Sequence, residues 1–347
     1  MMFVTSLKKL GLLRFTNSFQ LSILSILIIS IAVIFLASIS LGSFNFSFKE
    51  IFNTASDSLD RIVLLEIRIP RVLLSAFVGA SLGLSGASLQ GLFRNPLADP
   101  GLIGVSAGAA LGASIIIVLG SGYLPDFIFG TLILPIAAIM GASLVISLLY
   151  IFTQGFGYQG ITYMLLVGIA VNAFASVGIG ILTYISTDSE LRGLTFWTMG
   201  SFGGASWQLI LPALLVIILT MFWMIPSSRK LDLLQLGEPE AYRLGVDVRR
   251  LKFKVIISSA ITVGISVSLS GMIGFVGLVV PHLVRLLGGV NHSYLLPGSA
   301  FLGASLMMTA DLLSRVLIQP AELPVGLITS AIGAPFFLWL IFRIRKT

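Results

Sequence analysis

The feature that most constrains this sequence is a series of ten apolar stretches, each close to the length needed to cross a lipid bilayer. A hydrocarbon core of about 30 Å requires about 20 apolar residues per helix. The stretches cover residues 20–41, 70–92, 102–120, 129–152, 160–185, 207–225, 254–271, 273–288, 295–314 and 325–342. The sequence therefore predicts an all-α polytopic membrane protein with about ten transmembrane helices in a compact bundle.

Composition supports one membrane domain over residues 1–347. Only 10% of the residues are charged and 56% are hydrophobic, with a mean hydropathy of +1.05. An average soluble domain has about 25% charged residues, which it needs to wet its surface. The apolar run after Lys8 and Lys9 is too long for a signal-peptide core, so we interpret it as the first spanning helix.

The placement of basic residues predicts the orientation. With the N-terminus in the cytoplasm and ten spans, fifteen of the 21 basic residues fall on the cytoplasmic side and six on the other. This bias agrees with the positive-inside rule. It predicts that both termini and the loop 226–253 are cytoplasmic.

Glycine pairs within the apolar stretches predict close helix packing. Gly79 and Gly83, Gly104 and Gly108, and Gly108 and Gly112 have small-xxx-small spacing. Such spacing lets helix backbones approach closely in lipid.

Few residues in the chain suggest metal or covalent chemistry. The chain has no cysteine, which excludes disulfides and thiolate sites, and its two histidines are too few for a histidine-rich metal site. Residues 104–108 match the G-x-S-x-G pattern around Ser106, but that motif needs a strand, a turn and a helix. Helix packing is the interpretation we favour over an intramembrane hydrolase.

No nucleotide site is evident in the sequence. Residues 155–160 match G-x-G-x-x-G, but they join two apolar stretches and lack the strand of a dinucleotide site. No phosphate-binding loop of the G-x-x-x-x-G-K-[ST] type occurs. If ATP drives the protein, another subunit must bind it.

The longest charged stretch lies at residues 227–254. Gly237 to Glu240 has the pattern of a helix start, with acidic residues in the first turn. Ala241, Leu244 and Val248 are then expected on one face. The segment is either a solvated loop or a docking element for a cytoplasmic partner.

Three arginines are expected on the opposite side of the membrane. Arg68 and Arg71 precede the second stretch, and Arg315 follows the ninth. Arginine forks suit carboxylate partners, whereas the alternative is that these side chains anchor the helices at the interface. They are expected outside the interior of the bundle.

Four segments together resemble the permease family of ABC importers for ferric siderophores, heme and cobalamin. They are RIPRVLLSAFVGASLGLSGASLQGLFRNPLADPGLIGVSAGAALGA (68–113), LGEPEAYRLGVDV (236–248), SLSGMIGFVGLVVPHLVRLLGG (268–289) and ADLLSRVLIQPAELPVGLITSAIGAPFFLWLI (310–341). The resemblance implies ten helices per subunit and a homodimer with the path at its interface. It also implies two cytoplasmic ATPase subunits that hold ATP and magnesium, a periplasmic binding protein, and residence in the bacterial inner membrane. No enzyme activity, bound cofactor or nucleic-acid partner is expected of this chain.

The same resemblance assigns roles to particular residues. Arg68, Arg71 and Arg315 would receive acidic residues of the binding protein. The coupling element that contacts the ATPase would consist of Glu238, Glu240, Ala241, Leu244, Gly245 and Val246.

The transported ligand is less sharply indicated. Residues 191–207 look most like heme-transporting members, with a ferric siderophore next and cobalamin third. Pro281 is expected to kink or interrupt the eighth stretch, and with His282 it forms a gate-or-kink prediction, without a role for His282 as a heme ligand. An ion-coupled secondary transporter is the rival hypothesis, but Asp311 is the sole acidic residue clearly within a predicted span, which argues against ion coupling.

Overall fold

The structure is a computed structural model that describes residues 17–42, 59–123, 132–153 and 160–344. These ranges contain helices and connecting segments and no strand. In chain order the α-helices of six or more residues are α1 (Ser18–Ser40), α2 (Ile69–Phe93), α3 (Val105–Tyr123), α4 (Ile133–Thr153), α5 (Gly160–Ile185), α6 (Asp188–Met199), α7 (Trp207–Met224), α8 (Ser228–Leu234), α9 (Glu238–Arg243), α10 (Val248–Ser270), α11 (Val276–Gly288), α12 (His292–Val316) and α13 (Val325–Ile344).

Each of the ten predicted apolar stretches corresponds to one of these helices. Seven helices are long and apolar enough to cross a membrane, and three apolar helices are shorter, within Val105–Gly120, Val276–Gly288 and Val325–Leu340. A π-helical segment, Val63–Arg68, extends α2 at its start. The prediction of an all-α polytopic membrane protein is confirmed.

Helix α11 differs from the prediction at its start. It begins at Val276 and not at residue 273, because Phe275 has a left-handed backbone with φ of +67°. A bulky residue rarely adopts this conformation. Pro281 lies inside the helix without ending it. Proline leaves the carbonyl four residues earlier, that of Gly277, without its intrahelical donor, and Gln90 Nε2 donates to that oxygen at 3.3 Å.

Helices α2 and α12 pack backbone to backbone in the centre of the bundle. A Cβ atom placed on Gly79 would lie 2.2 Å from the carbonyl oxygen of Gly303, and one on Gly83 would lie 2.2 Å from that of Ser299. Neither approach leaves room for a side chain. The close packing predicted for this glycine pair is confirmed.

A second contact of this kind joins α3 to α4. Cβ atoms on Gly108 and Gly112 would lie 2.7 Å and 2.2 Å from the carbonyl oxygens of Gly141 and Ala137. Gly104 directly precedes α3 and has a left-handed backbone with φ of +84°, and a Cβ atom on it would lie 3.2 Å from the carbonyl oxygen of Gly168 of α5. The turn predicted at residues 155–160 lies almost wholly outside the described residues.

Candidate functional site

Arg71 is the centre of a buried ionic cluster where α2 begins and α12 ends. Its Nε donates to Asp311 Oδ1 at 2.8 Å, and its Nη1 donates to Glu322 Oε2 at 2.9 Å. Arg315 Nε lies 3.2 Å from the other oxygen of Asp311. The Asp311 side chain is completely buried, whereas that of Glu322 is 43% exposed. The Asp311 carboxylate therefore pairs with two arginines inside the bundle, and the Glu322 carboxylate pairs with Arg71 at the surface.

Two arginines of this end also bind the last carbonyl groups of α1. Arg68 Nη1 donates to Ile39 O at 2.6 Å and to Ser40 O at 3.2 Å. Arg315 Nη2 donates to Ser38 O at 3.1 Å. The last carbonyls of a helix have no intrahelical donor and carry partial negative charge. Both arginines therefore act as caps for α1.

The expectation that the three arginines lie outside the bundle interior is wrong. Arg68, Arg71 and Arg315 are only 5%, 6% and 5% exposed. Their burial is tolerated because each guanidinium faces carboxylate or carbonyl oxygens. Their role in docking a binding protein stays a prediction.

The segment containing α8 and α9 lies at the opposite end of α2 and α12. Its predicted helix start is confirmed, because Gly237 precedes α9 and Glu238 and Glu240 lie in the first turn. Glu238 is buried and pairs with Lys252 of α10 at 2.8 Å. This ion pair attaches α9 to the start of α10.

The expectation that Ala241, Leu244 and Val248 share a face is wrong. Helix α9 ends at Arg243, and the chain turns at Gly245 before α10 begins. Ala241 is completely buried and Val248 is 9% exposed, but Leu244 is 56% exposed.

The remaining predicted coupling residues divide between the interior and the surface. Val246 is buried, whereas Glu240 is exposed and pairs with Arg243 at 2.9 Å. Leu236 and Tyr242 are 63% and 71% exposed, like Leu244. The segment thus has three large exposed side chains, while its buried residues and the Glu238–Lys252 ion pair hold it against the bundle.

Helix α8 is fastened to both central helices. Asp232 Oδ1 accepts the backbone N–H of His292 at 3.0 Å and lies 2.6 Å from its ring Nδ1. Gln235 Nε2 donates to Gly91 O at 2.7 Å. His292 is buried at the start of α12, and Gly91 lies near the end of α2. Sequence reasoning missed these anchors, because Asp232 and His292 are polar residues that no motif marks.

Gln90 is a second polar centre at this end. Its Oε1 accepts a hydrogen bond from Arg285 Nη2, and its Nε2 donates to Ala98 O at 3.1 Å. In the loop beside it, burial raises the pKa of the Asp99 carboxyl, and the hydrogen bond from the Gly101 N–H acts in the opposite direction. The hydrogen bonds of Gln90 hold α2, α11 and the loop after α2 together.

Two further predicted residues, Pro281 and His282, lie on α11. The ring of His282 meets that of Phe336 of α13 edge to face, with centroids 5.8 Å apart. The geometry leaves the gate-or-kink role of this pair a prediction.

The described residues provide no support for hydrolase or metal chemistry. Ser106 lies in the first turn of α3, where no strand precedes it. No group of three or more His, Cys, Asp or Glu side chains within the described ranges could hold a metal ion.

Comparisons with known proteins agree with this architecture. Residues 28–343 match the FecCD transport family. The chain is 45% identical over 326 residues to the hemin transport system permease protein HmuU of Yersinia pestis, covering 93% of this chain and 96% of that protein. It is 40% identical over 281 residues to the vitamin B12 import system permease protein BtuC of Escherichia coli, covering 81% and 84%. A solved inward-facing transporter described as of the metal-chelate ABC type superposes with a TM-score of 0.82 at 34% identity, covering 93% of this chain and 99% of its own.

Proposed function

Because this chain belongs to the FecCD transport family, we propose that it forms the membrane path of an ATP-driven importer whose ligand is heme. Family membership itself shows that the chain is a multi-pass membrane permease subunit of an ABC importer. Membership of this family favours an ATP-driven importer over the rival hypothesis of an ion-coupled transporter. The buried Asp311 is engaged by two arginines, which is further support.

The exposed apolar surface on α8 and α9 carries the proposal of an ATPase partner. Leu236, Tyr242 and Leu244 project from a segment that is anchored to the bundle by Asp232 and Glu238. A rigid support with exposed large apolar side chains suits docking into a cleft of a second protein. We therefore assign this surface to an ATP-binding subunit on the cytoplasmic side, with two such subunits for a homodimer of this chain.

Heme is proposed as the ligand ahead of a ferric siderophore and cobalamin. The chain is more identical to the hemin permease than to the vitamin B12 permease, and the match covers more of the chain, which supports heme ahead of cobalamin.

The test of substrate is the stimulation of ATP hydrolysis by loaded binding protein. The purified complex of this chain with its ATPase would be mixed with binding protein carrying hemin, a ferric siderophore or cobalamin. We expect hemin-loaded protein to stimulate hydrolysis most. Stimulation by the cobalamin-loaded protein alone would reject heme while leaving the ABC-importer assignment intact.

A binding protein is proposed to dock where α2 begins and α12 ends. The arginines there are buried, and Glu322 is the outer carboxylate that already holds Arg71. A carboxylate of the partner must therefore share or replace this contact. Glu322→Gln removes a negative charge from the docking surface, and we expect faster association of an acidic partner.

This docking assignment is tested by association rates at two salt concentrations. Glu240→Gln, at the opposite end of the bundle, is the matched control and should leave the rates unchanged. Equal rates for Glu322→Gln and the unmodified protein would remove the assignment.

A further inference from the structure

A ladder of hydroxyl groups joins α2 to α10 in the interior of the bundle. Ser81 Oγ lies 2.7 Å from Ser266 Oγ, and Ser85 Oγ lies 2.8 Å from Thr262 Oγ1. All four side chains are buried. Because the helices are antiparallel, each step of four residues forward on α2 matches a step of four residues back on α10. The contact between these helices is therefore made by small hydrogen-bonding groups.

The hydroxyls of α10 repeat with the spacing of one helical turn. Four of them lie on the side that faces α2 or in line with it, at every fourth residue, namely Ser258, Thr262, Ser266 and Ser270. A shift of α10 by one turn, about 6 Å at 1.5 Å per residue, would bring the next hydroxyl to each position on α2. Ser81 would then meet Thr262, and Ser85 would meet Ser258. The shifted register has as many hydroxyl pairs as the observed one.

An unpaired group in the observed register favours this direction of shift. Ser258 Oγ is buried and has no hydrogen-bond partner among the described residues. Leaving a buried hydroxyl unpaired is unfavourable. In the shifted register Ser258 gains Ser85 as a partner. Ser266, which leaves Ser81, keeps its hydrogen bond to the Thr262 carbonyl at 2.7 Å.

The other contact of α2 does not have this freedom. Gly79 and Gly303 interlock α2 with α12, and a shift would drive side chains into backbone. Ionic contacts between Arg71 and Asp311 hold one end of the pair. The Asp232 to His292 contact ties α8 to the other end. Helices α2, α8 and α12 therefore form one fixed unit.

The segment that contains α9 and α10 is bounded by glycines in conformations that other residues rarely adopt. Gly237, with φ of +109°, separates α8 from α9, and Gly271, with φ of +69°, follows the last residue of α10. The pair of Glu238 and Lys252 makes α9 and α10 one body between these joints. At its far end Ser270 O accepts a hydrogen bond from the Ser201 N–H at 2.8 Å, so the segment after α6 belongs with this body.

From these observations we propose that α9 and α10 slide together by one turn along α2, exchanging the Ser85 partner from Thr262 to Ser258, as a step of the transport cycle. One-turn shifts between packed elements are a known form of two-state switch. The inference rests on the proposed function, because α9 carries part of the surface assigned to the ATPase. It identifies the α2–α10 contact as the moving interface and the α2–α12 contact as the fixed one.

Disulfide formation tests the two registers directly, since the chain has no native cysteine. One variant carries Ser85→Cys with Thr262→Cys, whose hydroxyls are already in contact, so that a disulfide is within reach. The second carries Ser85→Cys with Ser258→Cys. The matched control carries Ser85→Cys with Ser266→Cys, which requires a shift in the opposite direction. Each double-cysteine variant is oxidised in energised and in ATP-depleted cells. A maleimide-linked polymer is then added, which reacts only with free thiols, so a variant that has formed its disulfide shows no shift on a gel.

We expect the first two pairs to crosslink, with the Ser258 pair depending on the energy state, and the control pair to stay reduced. Oxidation of the Ser85/Thr262 pair should stop uptake, and a reductant should restore it. A Ser258 pair that stays reduced in every condition, or full uptake by the crosslinked Ser85/Thr262 protein, would overturn the inference. Neither result bears on the proposed function, which fails instead if the unmodified protein does not import the ligand. Should the first variant fold poorly, Ser81→Cys with Ser266→Cys locks the same register.

Discussion

Removing the buried charge of Asp311 should destabilise the protein far more than removing that of Glu322. Asp311 is completely buried and balances Arg71 and Arg315, whereas the Glu322 side chain is 43% exposed and holds only Arg71. Breaking a buried ion pair from one side leaves an uncompensated charge and costs about 3–5 kcal/mol. A solvent-exposed pair contributes about 1 kcal/mol or less. Asp311→Asn keeps the side-chain volume, so its effect reports the charge and not a cavity.

The assay is the midpoint of thermal unfolding in detergent, followed by loss of the monodisperse peak on size exclusion. We expect Asp311→Asn to lower the midpoint strongly and Glu322→Gln only slightly. Asp188→Asn, which removes an exposed carboxylate from the start of α6, is the control and should have no effect. If Asp311→Asn and Glu322→Gln unfold at the same temperature, the cluster does not hold α2, α12 and α1 together as the distances indicate.

Three further predictions concern topology, coupling and packing. A cysteine in place of Glu240 should react with an impermeant thiol reagent in inside-out vesicles and not in intact spheroplasts; labelling in spheroplasts would reverse the topology. Leu244→Glu should reduce co-purification of the ATPase severalfold while the chain stays monodisperse, because it places a charge on an exposed apolar docking surface; unchanged co-purification would remove Leu244 from that surface. Gly79→Leu should prevent stable folding, since its Cβ would lie 2.2 Å from the Gly303 oxygen, whereas Gly180→Leu has open space and should be tolerated; equal stability of the two variants would contradict the packing of α2 on α12.

The ten apolar helices could be predicted from sequence because hydropathy and length are sufficient to locate a spanning segment. The start of α11 could not be predicted this way. Residues 271–275 are apolar like the helix that follows them, and hydropathy does not detect the left-handed backbone of Phe275. Likewise, extending the helical period of α9 placed Leu244 on one face with Ala241 and Val248, although the helix ends one residue before Leu244.

The positions of the polar residues were harder to predict, because their partners lie far away in the chain. Arg71 and Asp311 are 240 residues apart, and Asp232 and His292 are 60 apart. Position in the sequence suggested that the arginines face the membrane surface. The arrangement of α1, α2 and α12 shows instead that the arginines are buried between these helices, where a carboxylate and the last carbonyls of α1 accept their hydrogen bonds.

ATP-dependent uptake of hemin into proteoliposomes is the most direct test of the central claim. The vesicles would contain this chain with its ATPase subunit, with ATP sealed inside and hemin-loaded binding protein outside. We predict that hemin accumulates only with hydrolysable ATP, and that cobalamin presented on its own binding protein does not accumulate. Hemin uptake driven by an ion gradient without ATP, or no uptake of hemin beside rapid uptake of cobalamin, would contradict the account.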